Sequence, residues 1–110
     1  MADEKICIWT GKSGKEYKYW IHPIETTFKA DVGNYIFAKE TKPNTWAAIY
    51  IGETDNLKNR LIPNHEKMPC IKRYGGTHIH AHTSSYIKGI RQAEEADIIE
   101  ANNPPCNLED

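Results

Sequence analysis

The sequence predicts a single α+β domain built on a small antiparallel β-sheet flanked by helices. The chain has 110 residues, which is the length of one compact domain. Segments with a period of two fill its first half, and helical periodicity is confined to its second half. Strands followed by a mixture of strands and helices, without a regular strand–helix–strand repeat, are typical of α+β folds with an antiparallel sheet.

Four strands are expected in the first half of the chain, as two pairs. The segment ICIWTGKSGKEYKYWIHPI predicts two aromatic strands around a Gly-Lys-Ser-Gly turn. GNYIFAKE and TWAAIYIG predict the second pair, with the turn formers of TKPNT between them. Residues 1–32 are therefore expected to extend the same domain as a β-hairpin, and either to add strands to the sheet edge or to form a dimer contact.

Two short helical segments are expected next. Thr54 or Asp55 can cap a helix that begins at about Asn56, and Pro63 ends or kinks it. The segment MPCIKRY favours a second short helix or turn, which Gly75-Gly76 stops.

The last strand and the longest helix follow. THIHAHT alternates strictly, which predicts a strand with its three histidines on one face. Ser84 or Ser85 can cap a helix that runs to about Asn102, and the prolines of NNPPCN end it. The apolar stripe of this helix is expected to consist of Ile87, Ile90, Ile98 and Ala101.

The charges are separated along the chain, although the net charge is only −1. Residues 57–91 contain seven basic residues and one acid, whereas residues 93–110 contain six acids and no base. The low net charge argues against a generic basic nucleic-acid binder. The separation suggests either an anion-binding surface beside a metal-binding edge or an ordinary balanced, solvated surface.

The cysteines and the N-terminus favour a cytoplasmic protein. Three cysteines cannot all pair within the chain, so reduced thiols are the simpler expectation. The N-terminal residues MADEKICIW begin with acids and lack the apolar core of a signal peptide. No apolar run approaches the length that spans a membrane, so no membrane partner is expected.

Four motifs occur in the order of a known nuclease signature. Tyr50-Ile51-Gly52 leads into Thr54, Asn56-Leu57 and Arg60-Leu61, and Gly33-Asn34-Tyr35 lies on the preceding strand. Glu95-Ala96-Asp97-Ile98-Ile99 resembles a Glu-x-x-Leu-Ile helix, and Pro104-Pro105-Cys106-Asn107 resembles a closing Pro-x-x-Asn. Over residues 33–107 the chain thus resembles the GIY-YIG nucleases, as a small stand-alone member.

The resemblance implies a metal-dependent endonuclease that hydrolyses DNA phosphodiester bonds with one Mg²⁺ or Mn²⁺ ion. The nuclease domain would comprise residues 33–107. The chain departs from the signature at its central Asn34 and at Glu53, where some relatives carry a basic or neutral residue. Sequence specificity, the type of DNA, the choice between DNA and RNA, and the oligomeric state, including a homodimer, stay open.

The matched positions suit phosphodiester hydrolysis, which needs an activated water and a cation for the developing charge. Glu95 is the expected metal ligand, because carboxylate oxygen is what Mg²⁺ prefers. The planar fork of Arg60 can bind a phosphate oxygen. Tyr35 is the likelier general base, and Tyr50 would position water or phosphate.

Further positions are expected to support the site or to contact DNA. Asn107 would stabilise the site by hydrogen bonds, and His65 would relay a proton or bind phosphate. Gly52 allows the chain to turn and a phosphate to approach the backbone. With Gly52, the expected DNA-binding residues are Lys58, Lys72, Arg73, Lys88 and Arg91.

Two other classes of function remain as alternatives. The first is a catalytically silent module that binds nucleic acid or a partner with the same fold. The second is a zinc-stabilised interaction domain, in which His78, His80 and His82 bind the ion with Cys70 or Cys106. Otherwise the histidine strand lines the DNA-binding cleft or packs in the core.

Overall fold

The strands pair into one five-stranded antiparallel sheet in the order β1-β2-β5-β3-β4, in a computed structural model that describes residues 5–108. The predicted α+β class and the antiparallel sheet are confirmed. The strands are β1 (Ile6–Thr10), β2 (Glu16–Pro23), β3 (Gly33–Lys42), β4 (Thr45–Thr54) and β5 (His78–Thr83). The helices are α1 (Leu57–Arg60), α2 (Met68–Arg73), α3 (Lys88–Asn102) and α4 (Pro105–Leu108).

The N-terminal strands form a hairpin that extends the sheet, as the sequence predicts. Strand β1 pairs with β2, and β2 pairs with β5. Gly14 has a φ of 92°, a left-handed conformation that suits glycine in the turn between β1 and β2. In the turn between β3 and β4 the left-handed position is Asn44, whose N–H donates to the Glu40 side chain.

The sheet has an apolar cluster on each face. On the α1 face, Tyr35 and Phe37 of β3 pack with residues of α1, α2 and α4. On the α3 face, Ile36 and Ile51 pack against Ile98 of α3. The alternation along β3 therefore sends signature residues to opposite sides of the sheet.

Both helix caps differ from the expected ones. Helix α1 is capped by Asn56, whose side chain accepts a hydrogen bond from the N–H of Asn59. Thr54 instead accepts from the N–H of Asn56, so it orders the turn before the cap. Helix α3 begins at Lys88 with Ile87 at the cap position, three residues after the expected Ser84 or two after Ser85.

Of the four residues in the predicted apolar stripe of α3, only Ile98 is buried. Ile87 and Ile90 are 63% and 54% exposed, and Ala101 is exposed too. Ile98 is buried, but the other buried residue of the helix is Arg91. Helix α3 packs mainly against β4, with further contacts to β3 and β1, and its exposed isoleucines lie away from these contacts.

Cys70 and Cys106 form a disulfide, so the expectation of reduced thiols is wrong for these two residues. Their Cα atoms are 5.9 Å apart, and the bond joins α2 to α4 within the α1-face cluster. Cys7 has a free thiol. Disulfides are typical of oxidising compartments, so the prediction of a cytoplasmic protein loses one of its reasons. Among residues 5–108, no helix combines the length and apolar character that a membrane crossing needs.

Candidate functional site

Tyr35 lies at the centre of the sheet, directly opposite the signature glycine. It pairs with Gly52 on β4 and with Ala81 on β5, and it is 1% exposed. A Cβ atom on residue 52 would lie 2.5 Å from both Cζ and Oη of Tyr35. Glycine is therefore required here because the phenol ring crosses β4 against its backbone. Gly52 was expected to let a phosphate approach the backbone. The Tyr35 ring occupies that space instead, so this prediction is corrected.

Two donors converge on the hydroxyl of Tyr35. Arg60 Nε donates to its Oη at 3.1 Å, and Nε2 of His65 lies 3.1 Å away. Nδ1 of His65 accepts a hydrogen bond from the N–H of Lys67. Burial and the charge of Arg60 lower the pKa of His65 to about 4, so the ring is neutral at pH 7. Its one proton is therefore on Nε2 and donates to Tyr35.

Tyr35 retains its own proton in this arrangement. Burial, and then the neighbouring Tyr50, raise the pKa of Tyr35. The charge and hydrogen bond of Arg60 act in the opposite direction without reversing the rise. The hydroxyl thus accepts from two groups and keeps its proton for a third partner. As a general base it would first have to lose that proton.

Tyr50 and the three residues around the hydroxyl form one group, which we call the Tyr35 cluster: Tyr35, Tyr50, Arg60 and His65. The ring centroid of Tyr50 is 6.2 Å from that of Tyr35 and 5.5 Å from that of His65. Burial raises the pKa of Tyr50, while Arg60 opposes the rise. The four members come from β3, β4, α1 and the loop after α1.

Arg60 links this cluster to the surface. Its Nη1 donates to Oε1 of Glu66 at 2.8 Å, and the Glu66 side chain is 66% exposed. An exposed ion pair contributes little to stability, so it can exchange its carboxylate for another anion. Because Arg60 holds the Tyr35 hydroxyl at the same time, an anion bound there would lie beside that oxygen.

Glu95 approaches the cluster from the α3 side. Burial and the negative charge of Glu53 raise its pKa to about 7, although the N–H of Glu53 donates to it and lowers the pKa. The charge of Glu95 in turn raises the pKa of Tyr35 and of Tyr50, which places it within electrostatic reach of both. No basic side chain of residues 5–108 is among the groups that shift the Glu95 pKa.

Asn107 completes the edge of the sheet at the signature strand. The N–H of Ile51 donates to Asn107 Oδ1 at 2.7 Å, and Asn107 Nδ2 donates to the carbonyl of Ile51 at 2.8 Å. Strand β4 is an edge strand, so this amide replaces a missing strand at one residue. It fixes the backbone between Tyr50 and Gly52.

Arg91 lies inside the protein rather than on a DNA-binding surface. Its side chain is 4% exposed, and its Nε donates to Glu53 Oε1 at 2.9 Å. Nη1 donates to the carbonyls of Ser85 and Tyr86. Since its guanidinium is consumed by these contacts, Arg91 is removed from the predicted DNA-binding residues. The spacing could have indicated this burial, because Arg91 lies seven residues before the buried Ile98 on the same face of the helix.

Asn34, the residue that departs from the signature, has a structural role that the sequence did not suggest. It is buried, and its Nδ2 donates to the carbonyl of Arg91 at 3.0 Å. Its Oδ1 accepts from the hydroxyl of Ser84 at 2.6 Å. These bonds attach the start of β3 to the first turn of α3, and therefore to the helix that carries Glu95.

The other predicted DNA-binding residues are exposed at separate places. Lys58 lies on α1 beside the cluster, Lys72 and Arg73 lie at the end of α2, and Lys88 begins α3. That these four residues contact DNA stays a prediction.

The three histidines of β5 share the α3 face but bind different partners. His80 is buried, accepts from Nε1 of Trp9 at 3.0 Å and packs against Trp46. His82 contacts Glu94 at 2.7 Å. The disulfide consumes the two cysteines proposed as further zinc ligands. Within the described residues no group of three or more His, Cys, Asp or Glu side chains could hold a metal ion, so the zinc hypothesis is not kept.

Comparisons of the chain with protein-family models, with curated proteins and with solved structures yield no match. The resemblance to the GIY-YIG nucleases therefore rests on the sequence motifs alone.

Proposed function

We propose that the chain is a divalent-metal-dependent endonuclease that hydrolyses DNA phosphodiester bonds. One observation carries the proposal: an arginine, a histidine and two tyrosines from four segments meet around one hydroxyl, with a glutamate in electrostatic reach. A folding core gains little from such a polar cluster, which is typical of sites that bind and activate a ligand.

Glu95 is the residue that would hold Mg²⁺ or Mn²⁺. Its carboxyl is partly buried, lies beside a second acid and has a raised pKa, which is the setting that a bound cation relieves. A single carboxylate suits magnesium, which takes few protein ligands and completes its shell with water and phosphate oxygens. When bound, such an ion supplies positive charge for the phosphate oxygens and lowers the pKa of a coordinated water.

Arg60 would bind the scissile phosphate by exchanging Glu66 for a phosphate oxygen. Its guanidinium is already held by the Tyr35 hydroxyl, so the fork is oriented before the substrate arrives. The exchange keeps the arginine paired and adds no unpaired buried charge. Lys58, two residues earlier on α1, is exposed.

Tyr35 and His65 would set the position of the attacking water. Neutral His65 donates to the Tyr35 oxygen and cannot accept its proton, because the other ring nitrogen is held by the Lys67 N–H. The two donors favour the phenolate, whereas burial favours the phenol. The free protein therefore holds Tyr35 protonated, and a base role would require positive charge beside its oxygen, which a bound divalent ion would supply and a phosphate would not.

A catalytically silent binding module with the same fold is the second candidate. It is favoured because polar groups of the cluster already have partners within the protein. Tyr35 is buried and protonated, and Arg60 is already paired with Glu66. Such a module would bind DNA or a partner without cutting.

The test is cleavage of end-labelled duplex, single-stranded, flap and four-way-junction DNA with Mg²⁺ or Mn²⁺. Glu95→Gln removes the carboxylate, and Arg60→Lys keeps the charge but removes the bidentate fork. Glu100→Gln is the matched control, because Glu100 is exposed on the same helix. Each variant is checked for folding by circular dichroism.

We expect metal-dependent cleavage by the wild type and by Glu100→Gln, with a loss of at least about 100-fold in the other two variants. DNA binding without cleavage under any of these conditions would favour the binding module. The absence of both cleavage and DNA binding would refute the nuclease and a DNA-binding module, and would leave the partner-binding module.

A further inference from the structure

A pocket of about 510 Å³ opens on the α1 face of the sheet, beside the N-terminal hairpin and outside the Tyr35 cluster. Its walls are mostly aromatic or apolar, with charged groups at the rim. The residues that define it are Trp20, His22, Phe28, Lys29, Leu57 and Ala81. Its volume falls within the range of about 300–1,000 Å³ that ligand sites occupy.

The pocket and the Tyr35 cluster share one row of the sheet. Ala81 pairs with Trp20 on β2 and with Tyr35 on β3, so the three side chains lie side by side on the α1 face. The small side chain of Ala81 forms the floor and leaves the space open. Trp20 is two strands from Tyr35, a separation of about 10 Å at the usual strand spacing.

Helix α1 connects the two places. Its first residue, Leu57, lines the pocket, and its last residue, Arg60, holds the Tyr35 hydroxyl. The N–H of Leu57 donates to the carbonyl of Asp31, which attaches the pocket loop to the helix. A strand bound at Arg60 would therefore pass over α1 to reach the pocket.

The lining has the chemistry of sites that hold unpaired bases. The Trp20 ring is partly exposed, and Lys18 Nζ lies 5.9 Å from its centroid. His22, two residues further along β2 on the same face, meets the ring of Phe28 edge to face at 5.1 Å. Aromatic faces on an open sheet, with lysines within reach of the backbone, are how proteins bind single strands. The rim acid Asp31 suits an amino group of a base rather than a phosphate.

We propose that this pocket binds one unpaired nucleobase of the substrate strand, so that the substrate class is DNA with a single-stranded segment beside the cleaved bond. This inference rests on the proposed nuclease function. At about 3.4 Å per base along a strand, the bound base lies within roughly three nucleotides of the scissile phosphate. The net charge of −1 agrees with binding through base stacking, since duplex recognition depends mainly on phosphate contacts.

The test is binding measured in EDTA, where no metal-dependent cleavage occurs. A short single strand, the blunt duplex of the same sequence, a duplex with an overhang and a free mononucleotide are titrated separately. Tryptophan fluorescence reports contact, with Trp20→Phe to remove the indole and Trp46→Phe to remove another partly buried indole. Trp20→Ala removes stacking, and Tyr86→Ala is the matched control, since Tyr86 is 89% exposed elsewhere.

We expect the single strand and the overhang to quench fluorescence in the wild type and in Trp46→Phe, but not in Trp20→Phe. Trp20→Ala should weaken single-strand binding by about 5- to 150-fold and blunt-duplex binding by less than about twofold. Trp20→Phe keeps a stacking ring and should lose little affinity, which separates stacking from misfolding. Tyr86→Ala should bind every DNA as the wild type does.

The inference is overturned by quenching that survives Trp20→Phe, by equal losses for duplex and single strand, or by a Trp20 signal that depends on protein concentration alone. The last would assign the pocket to a second copy of the chain. Mononucleotide binding as tight as that of the strand would assign it to a free nucleotide. Cleavage with Mg²⁺ is scored separately, so a nuclease indifferent to Trp20 refutes the pocket alone. A non-cutting protein with Trp20-dependent binding refutes the nuclease alone.

Discussion

Replacing Glu95 with glutamine is expected to stabilise the protein above about pH 7 and to leave its stability unchanged in acid. Burial and the charge of Glu53 raise the pKa of Glu95 from 4.5 to about 7. Below the lower value the carboxyl is protonated in the folded and unfolded chains alike. Above the upper value it is ionised in both, and the folded state alone carries the cost of holding that charge. The destabilisation therefore grows as the pH rises between the two values.

The interval from 4.5 to about 7 corresponds to roughly 3 kcal/mol, since each pKa unit is worth about 1.4 kcal/mol. This is an upper value, because the side chain is only partly buried and solvent screens part of the interaction. Glutamine preserves the shape of the side chain and removes the charge. Its advantage over the wild type should thus approach this magnitude above pH 7 and vanish below pH 4.5.

The assay is urea unfolding of the wild type, Glu95→Gln and the surface control Glu100→Gln, at one pH on each side of the interval. Relative to the wild type at the same pH, only Glu95→Gln should become more stable as the pH rises. A gain of the same size at both pH values, or none above pH 7, would refute the electrostatic account of this carboxyl. Repeating the alkaline series with Mg²⁺ tests the metal ligand directly, because an ion that binds only the folded state should stabilise the wild type and not Glu95→Gln.

Two further predictions concern the framework of the site. Gly52→Ala should destabilise the protein by about 1–3 kcal/mol in urea unfolding and lower any cleavage, because the new Cβ meets the buried Tyr35 ring at 2.5 Å. The control is Gly89→Ala, whose new Cβ would have no atom within 4 Å. This control should be neutral or stabilising in the same assay. Replacing Cys70 and Cys106 by serine should lower the unfolding free energy by up to about 4 kcal/mol for the 36-residue separation. Equal stability of the wild type with and without reductant, and of the wild type and the double variant, would show that the disulfide does not form in solution.

Local patterns predicted much of the sheet. Strict alternation in THIHAHT identified β5, and the paired tyrosine and glycine motifs identified β3 and β4 as neighbours. The pairing of Tyr35 with Gly52 follows from a hairpin whose turn is in TKPNT. Such features are recoverable because they depend on period two and on turn residues close in sequence.

Long-range polar contacts were not predicted. Arg91 lies 38 residues from Glu53, and only the packing of α3 against the edge of the sheet brings them together. The same holds for Cys70 and Cys106, whose pairing depends on the positions of two short helices. A stripe of isoleucines misled the prediction for α3, because periodicity identifies an apolar face but not which of its residues the sheet covers.

The contacts of Glu53 account for an acid at the position directly after Gly52. An acid directly after the glycine would repel a phosphate if its carboxylate faced the substrate. Its carboxylate instead pairs with buried Arg91, while its charge still raises the pKa of Glu95. Neutralising Glu53 alone would leave the buried arginine without the only carboxylate that pairs with it among the described residues, which costs more than the ion pair contributes. The two positions therefore constrain each other, and Glu53 helps keep Glu95 in the state that a divalent cation would relieve.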